Sequence, residues 1–271
     1  MGDAVPPRRG GVKGYDVCGC AIAGFLKNMS LRLFRGDRHD KITLLLRKSY
    51  LNFMAMAPQL RVYVPPHPLI KHWLAVARDV GTPSVLFRSA MTELGRWLAY
   101  EAIRDWLPIV ETIVQTPLAE SPATFINPET PLAVIPILRA GLGLMEGIQT
   151  VVPLATIYHL GMVRDEETLE VNCYFNKLPP QFNPETRVLI SEPMLATGGT
   201  IMATMEELTQ RGVDASLVRI ISAIVAPQAL QRLSVMYPSL NIYAAAIDEH
   251  LNERGFIVPG LGDAGDRTFG T

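Results

Sequence analysis

The sequence predicts an α/β fold, an open and mainly parallel sheet flanked by helices. Five short runs are strongly apolar and lack the alternation of polar and apolar residues, which is the pattern of strands buried on both faces of a sheet. Segments with apolar residues at helical spacing lie between these runs, and such alternation of strands and helices is typical of a parallel sheet. The five predicted strands are Leu132–Leu138, Thr156–Met162, Arg187–Ile190, Val218–Val225 and Ile242–Ile247.

Proline content and helical spacing assign the segments around these runs. Three prolines in Arg61–Pro68 remove amide donors and fix φ, so this stretch is predicted to be extended. Apolar residues recur at helical spacing in His72–Arg78 and again in Ser89–Leu107, where we predict a helix from Thr92 to Trp106 that ends near Pro108. The remaining predicted helices are Leu142–Thr150, Thr200–Arg211 and Pro227–Tyr237.

Composition excludes several classes of protein. The 271 residues are 48% apolar and 19% charged, with a net charge of −1, which is unlike a disordered chain. Apolar stretches all fall short of the roughly 18 residues of a membrane span, and the net charge gives no attraction for nucleic acid or anionic lipid. Three cysteines make neither a disulfide framework nor a structural zinc site, so a reducing, cytoplasmic compartment is predicted.

Charge divides the chain into two regions. Residues 1–56 carry ten basic and four acidic side chains and show no sustained periodicity, whereas residues 57–271 have a net charge of −7. We therefore expect a basic, disordered N-terminal extension before one domain spanning 57–271, with Met54 or Met56 as possible starts of the functional chain. An organelle-targeting peptide is the alternative, and four aspartates argue against it.

The segment Arg187–Thr200 carries the strongest local signal. A predicted buried strand leads to Glu192, and a loop of small residues, Ala196–Thr200, precedes a predicted helix. Glycines allow successive amides to face one concavity, threonine hydroxyls add donors, and a helix N-terminus adds partial positive charge. The pattern predicts a phosphate-binding loop, although not a P-loop, because no lysine follows the glycines. The alternative is a Gly-Gly turn that only begins the helix.

Two further loops follow predicted strands, at the sheet edge where α/β proteins bind ligands. Arg139 stands at the end of an apolar run before Ala-Gly-Leu-Gly, which suits bidentate binding of an anion; the alternative is a surface arginine in a turn. The glycine-rich segment Ala246–Thr271 contains apolar residues able to hold it in place. An ordered loop of this kind suits recognition of a flat heterocycle by backbone hydrogen bonds.

At these segments the sequence resembles the uracil phosphoribosyltransferases, members of the type I phosphoribosyltransferase group. The resemblance covers Leu60–Thr271, and the family commonly has aspartate where this chain has Glu192. Its last motif is the most specific, because other phosphoribosyltransferases share the TGG loop and lack the GLGDAGDR ending. The matching motifs are PILRAGLG (136–143), RDEETLE (164–170), EPMLATGGT (192–200) and GFIVPGLGDAGDRTFGT (255–271).

The resemblance implies that uracil and 5-phospho-α-D-ribose 1-diphosphate (PRPP) are converted to UMP and diphosphate, in pyrimidine salvage by a pentosyltransferase. It implies Mg²⁺ as cofactor, carried by the substrate diphosphate and held by oxygen ligands rather than by a dedicated protein cage. It assigns PRPP binding to Arg139, Arg164, Glu192, Pro193, Met194, Leu195, Ala196, Thr197, Gly198, Gly199, Thr200 and Asp263, and uracil binding to Ile257, Gly262, Asp263 and Ala264.

Catalysis in this reaction is expected to be electrostatic. Positive charge develops on the ribose and negative charge on the leaving diphosphate, so Glu192, Arg139 and Asp263 are the expected catalytic residues. The motifs contain no obvious general base for the N1 proton of uracil. His159 is expected to be a strand residue, and Lys177 either a surface residue or a diphosphate contact.

The resemblance also implies partners. A β-arm predicted over Glu166–Pro179 serves subunit contacts in this family, so a homodimer or higher homo-oligomer is expected, and GTP is an effector of some members. The other functions considered are a purine phosphoribosyltransferase, disfavoured by the C-terminal motif, an RNA-binding regulator, disfavoured by the acidic domain, and a sensor that binds without turnover.

Overall fold

The computed structural model describes residues 14–16, 59–164 and 171–271. The predicted N-terminal extension therefore lies outside the described residues except for a three-residue strand. Within the described part, no helix has the length and apolar character needed to cross a membrane. The strands are β1 (Gly14–Asp16), β2 (Arg61–Tyr63), β3 (Ile109–Gln115), β4 (Glu120–Ile126), β5 (Leu132–Leu138), β6 (Thr156–Ile157), β7 (Leu160–Arg164), β8 (Val171–Asn176), β9 (Arg187–Ser191), β10 (Met194–Leu195), β11 (Val218–Val225), β12 (Asn241–Ile247), β13 (His250–Leu251) and β14 (Ile257–Val258).

Helices alternate with these strands through most of the chain. The first two, α1 and α2, follow β2 in the chain, and α3, α4 and α5 connect the later parallel strands. The helices are α1 (Pro68–Arg78), α2 (Ser84–Ile103), α3 (Leu142–Val151), α4 (Gly199–Gln210), α5 (Pro227–Met236) and α6 (Ala264–Phe269), with a 3-10 turn at Ala215–Leu217.

The main sheet has ten strands, eight of them in the order β1-β2-β12-β11-β9-β5-β7-β8. Neighbours from β2 through to β7 are parallel, and antiparallel strands close both edges, β1 against β2 and β8 against β7. Short strands β6 and β10 pair with β5 and β11. The predicted fold class, an open and mainly parallel sheet flanked by helices, is confirmed.

Both faces of the sheet are covered, which explains why the strand sequences are continuously apolar. In β5, Val134 packs in a core with α1, α2 and α3, whereas Ala133 and Ile135 pack in a second core with α4 and α5. All eight residues of β11 are buried. Successive side chains of a strand point to opposite faces, so a strand between two helical layers needs apolar residues throughout.

Helix α2 begins at Ser84, eight residues before the predicted start at Thr92, and ends at Ile103. Pro83 is extended and supplies the N-cap position. The first two turns expose Val85 and Leu86 and bury Phe87, so the apolar spacing in this stretch does not distinguish a buried face. The prediction placed the helix start too late for this reason.

Two other differences concern strands. The predicted strand Thr156–Met162 is interrupted at residues 158–159, and its two parts, β6 and β7, pair in parallel with β5 in the same register. The hairpin of β3 and β4, residues 109–126, was not predicted. It forms its own two-stranded sheet, and a turn in which Thr116 N donates to Ala119 O (2.9 Å) joins its strands. In the predicted β-arm, residues 171–176 pair with β7, and residues 165–170 lie outside the described part.

Candidate active site

The central feature of the site is the loop that leaves β9 and enters α4. Glu192 N donates to Ile221 O of β11 (3.1 Å), and Pro193 O accepts from the amides of Ala223 and Ile224 (2.9 and 3.1 Å). The hydroxyl of Ser222 donates to the same oxygen (3.0 Å). These bonds fix the loop to the carboxyl end of the neighbouring strand. They also give Pro193 a structural role in the loop.

The small-residue loop, residues 196–200, opens α4 with Gly198 at the N-cap. Gly198 has φ +80°, and a Cβ there would lie 3.2 Å from the Ala229 Cα of α5. Only glycine takes this conformation without strain, so Gly198 lets the chain turn into the helix beside α5. The N-terminal amides of a twelve-residue helix then face the same space as the Thr197 and Thr200 side chains, which is the arrangement that binds phosphate.

Glu192 is a half-buried acid beside this loop. Burial raises its pKa to about 8; a hydrogen bond from the Met194 backbone opposes the shift, and the negative charge of Asp263 adds to it. A carboxyl group with this pKa is mostly protonated at pH 7 in the free protein. Cationic or hydrogen-bond-donating groups of a ligand would favour its ionised form.

A buried ion pair holds the segment that forms the opposite side of the site. Asp248, directly after β12, is almost fully buried and receives both terminal nitrogens of Arg78 (2.9 and 2.5 Å). Gly260 N also donates to Asp248 Oδ2 (2.9 Å), and Gly260 O accepts from Arg78 Nη1 (2.7 Å). The ion pair thus fixes the backbone of the C-terminal loop, which we define as residues 248–263.

Arg267 fixes the same loop from the other end. Its guanidinium donates to the backbone oxygens of Ala77, Asp79 and Leu261 and lies 4.3 Å from the centre of the Phe87 ring. Asp263 begins α6, where its Oδ1 accepts from Asp266 N (2.9 Å). Arg267 therefore sets the position of the loop, although the sequence marked it only as a polar residue of a motif.

Arg139 follows β5 on the loop beside β9. The buried Ser191 hydroxyl donates to Gly141 O (2.8 Å) and ties the two loops together. Arg139 Nη2 lies 3.3 Å from Asp266 Oδ1, and both side chains are about half exposed, 56% and 52%. Arg139, the predicted anion-binding residue, is therefore accessible, and a more highly charged anion would displace its carboxylate partner.

One pocket of about 300 Å³ brings most of the predicted residues together. Ile257 and Asp263 of the C-terminal loop line it together with residues from the loop that follows β9. Arg139, Pro193, Gly262 and Ala264 do not line it, and Arg164 is described only as the last backbone position of β7. Five further lining residues were not predicted from the sequence: Val171, Ile201, Arg254, Gly255 and Phe256. The predicted residues that line it are Glu192, Met194, Leu195, Ala196, Thr197, Gly198, Gly199, Thr200, Ile257 and Asp263.

The fit of Mg²⁺ to the site can be judged from its oxygen donors. Glu192 and Asp263 both line the pocket and interact electrostatically. The described residues contain no group of three or more His, Cys, Asp or Glu side chains placed to hold a metal. A pair of carboxylates suits an ion that takes its other ligands from phosphates and water.

Fold and site together define a class, the α/β proteins that bind phosphate in a glycine-containing loop between a parallel strand and a helix. A uracil phosphoribosyltransferase family model matches residues 64–271. A uracil phosphoribosyltransferase of Nostoc sp. is 72% identical over 216 residues, 80% of this chain and all of the relative. One of Nicotiana tabacum is 53% identical, covering 78% of this chain and 94% of the relative.

A solved structure of an Aquifex aeolicus protein is also similar. Its TM-score is 0.70 at 39% identity, and the match covers 77% of this chain and 97% of that one. With the family model and the curated relatives, this likeness extends over most of the chain. The chain belongs to the uracil phosphoribosyltransferase family.

Proposed function

We propose that the protein converts uracil and PRPP to UMP and diphosphate, as a pentosyltransferase of pyrimidine salvage. Family membership supports this reaction. The structural observation that carries it is the single pocket in which Glu192, the small-residue loop and the C-terminal loop meet. A sugar phosphate and a flat base bound side by side need such an arrangement.

Displacement at the ribose C1 develops positive charge on the sugar. An ionised Glu192 would accept hydrogen bonds from the ribose hydroxyls and favour that charge, with Asp263 nearby as the second acid. Amides and hydroxyls of the small-residue loop would hold the 5-phosphate and fix C1 for attack. The residues act by position and charge, and we assign no general base.

The leaving diphosphate is proposed to bind Arg139 and Arg164. Arg139 is accessible and is held 3.3 Å from a single exposed carboxylate, Asp266. A diphosphate offers two to three negative charges and several acceptor oxygens, so it would outcompete that partner. The guanidinium would then stabilise the charge that grows on the leaving group.

Uracil recognition is proposed to rely on the backbone of Ile257, Gly262 and Ala264. The ion pair of Arg78 and Asp248 keeps this backbone in place before substrate arrives. Uracil offers an acceptor, donor, acceptor edge at O4, N3–H and O2. Cytosine reverses the polarity at two of these positions and would leave buried groups unpaired.

Mg²⁺ is the proposed cofactor. It would enter on the PRPP diphosphate, complete its oxygen coordination with Glu192, Asp263 or water, and neutralise part of the diphosphate charge. The two lining carboxylates support a weak site of this kind rather than a permanent metal centre.

A homodimer or higher homo-oligomer is the proposed assembly. The hairpin of β3 and β4 forms a separate sheet, and on one of its faces Ile109, Ile113 and Ile126 are each exposed by half or more. Contiguous exposed apolar surface of this kind marks protein contacts. A second copy of the chain is the proposed partner, and sedimentation equilibrium tests it.

GTP as an effector and a cytoplasmic location remain parts of the proposal. Family resemblance supports the first, and titration of the initial rate with GTP tests it. The sparse cysteines support the second, whereas a similar protein of Arabidopsis thaliana carries the name chloroplastic. A reporter fused to residues 1–56 distinguishes the two locations.

Substrate selectivity tests the proposed function. The full chain with Mg²⁺ and PRPP is expected to consume uracil and to leave cytosine and hypoxanthine unchanged. Turnover of hypoxanthine in place of uracil would indicate a purine enzyme. Binding of both substrates without any turnover would indicate a sensor.

A further inference from the structure

Arg254 is a cation of the pocket that no motif pointed to. Among the described residues lining the pocket it is the one guanidinium or ammonium group, and it faces the same space as residues 196–200. The same part of the chain contains no ion pair to Arg254. Its charge is therefore available to a ligand.

The turn that carries Arg254 is rigidly built. Asn252 Oδ1 accepts from the amides of Arg254 and Phe256, both at 3.0 Å. Asn252 N donates to Phe256 O, and Gly255 N donates to Asn252 O, both at 2.9 Å. Strands β13 and β14 pair on either side of this turn. These bonds fix the backbone from which the Arg254 side chain reaches the pocket, so less backbone entropy is lost on binding.

The charges that line the pocket indicate which ligand group the Arg254 guanidinium binds. The lining includes two acids, Glu192 and Asp263, and Arg254 is the opposing cation. A phosphate monoester carries between one and two negative charges at neutral pH, and the small-residue loop offers it only amides and hydroxyls. A cation beside that loop offsets the repulsion between the phosphate and Asp263, and that of Glu192 when it is ionised.

We propose that Arg254 binds the 5-phosphate of PRPP, and equally that of UMP, from the side of the pocket opposite residues 196–200. This rests on the proposed function. The planar guanidinium suits two parallel hydrogen bonds to phosphate oxygens. Arg254 thus differs in role from Arg139 and Arg164, which serve the diphosphate. It fixes the sugar at the end away from C1.

The two products, UMP and diphosphate, show which phosphate group Arg254 binds. UMP carries only the 5-phosphate, and diphosphate corresponds only to the leaving group. We expect Arg254→Gln to weaken UMP binding in calorimetric titration by about tenfold or more, as for loss of a charged hydrogen bond. The KM for PRPP should rise similarly, inhibition by magnesium diphosphate should be unchanged, and Arg254→Lys should recover part of the loss. Arg88→Gln, on the exposed side of α2, is the matched control.

Four results would overturn the proposal. An Arg254→Gln variant that binds UMP with wild-type affinity would show that Arg254 does not contact the 5-phosphate. If Arg254→Gln weakened the binding of magnesium diphosphate and left the affinity for UMP unchanged, Arg254 would be assigned to the leaving group instead. A wild-type protein that forms UMP from uracil and PRPP while Arg254→Gln behaves like Arg88→Gln would refute this role alone. A wild-type protein that neither binds nor forms UMP would refute the proposed function as well.

Discussion

At the scale of single residues, Glu192 shows what a side chain gains from its place in the fold. The motif predicts an acid after the strand, and the structure confirms that Glu192 follows β9 at its carboxyl end. Its pKa of about 8 depends on burial and on Asp263, which is 71 residues away in sequence. No local pattern reports such a distant contact, so the sequence could predict the acid and not its protonation.

The raised pKa gives a pH dependence of stability with a definite sign. Folded Glu192 keeps a proton to about pH 8, whereas its ordinary pKa is 4.5. Between these values the folded state holds more protons than the unfolded state, so the free energy of unfolding falls as pH rises. Thermal unfolding of wild type and Glu192→Gln at pH 5.5, 7 and 8.5 measures this. We expect the fall to be smaller in the variant.

Glu185→Gln is the control, because Glu185 is exposed and should leave the pH profile unchanged. Equal slopes for Glu192→Gln and wild type would contradict a protonated Glu192 in the folded protein.

Gly198 is the residue on which the shape of the small-residue loop depends. Its positive φ and the closeness of Ala229 lead us to expect that Gly198→Ala destabilises the protein by about 1–2 kcal/mol and raises the KM for PRPP. Chemical denaturation and initial rates measure the two effects. Gly81→Ala, in an exposed turn outside the left-handed region, is the control. Wild-type affinity for PRPP in Gly198→Ala would contradict this role for the loop.

At the scale of elements, the sequence predicted whether a segment is a helix or a strand better than it predicted where that segment begins and ends. Strands β5 and β11 match their predicted limits because both faces are buried and nearly every residue is apolar, with Arg219 and Ser222 of β11 as the exceptions. Exposed apolar residues at the start of α2 obscured its helical pattern, so its first residue was predicted too late. Exposed apolar residues also concealed the hairpin of β3 and β4, although β-branched residues on both sides of Thr116 and Pro117 were the available signal.

The C-terminal loop is an element whose geometry depends on one ion pair. Asp248→Asn leaves the partly buried Arg78 without its charge partner, and breaking a buried pair costs about 3 kcal/mol. We expect a lower melting temperature and a KM for uracil raised several-fold, with a smaller change for PRPP. Steady-state kinetics with each substrate varied in turn measures the difference.

Glu185→Gln, at an exposed residue, supplies the control, since it should change neither value by much. An unchanged KM for uracil in Asp248→Asn would show that the ion pair does not position the base-binding backbone.

At the scale of the whole molecule, the fold assembles a site from segments that are remote in sequence. Strand order brings β9 between β5 and β11, and the ion pair to Arg78 brings the C-terminal loop to the same edge. The motifs predicted which loops matter, because ligands bind where parallel strands end. Arg254 was missed since it belongs to a turn whose orientation only the folded β13 and β14 determine.

The assembly is the other property of the whole molecule. If the hairpin of β3 and β4 joins two copies, Ile113→Asp should shift sedimentation equilibrium toward the monomer, because a charge cannot be buried unpaired in an apolar contact. Val235→Asp, on the exposed side of α5, should leave the assembly unchanged. A monomeric wild-type protein would contradict the proposed assembly.

The most direct test of the account is the rate of UMP formation from uracil and PRPP with Mg²⁺. We expect the full chain and a version starting at Met56 to form UMP at similar rates. Gly198→Ala should be slower at low PRPP because the small-residue loop binds the substrate phosphate. No UMP from either wild-type chain, under conditions in which both substrates bind, would contradict the central claim that this pocket catalyses phosphoribosyl transfer.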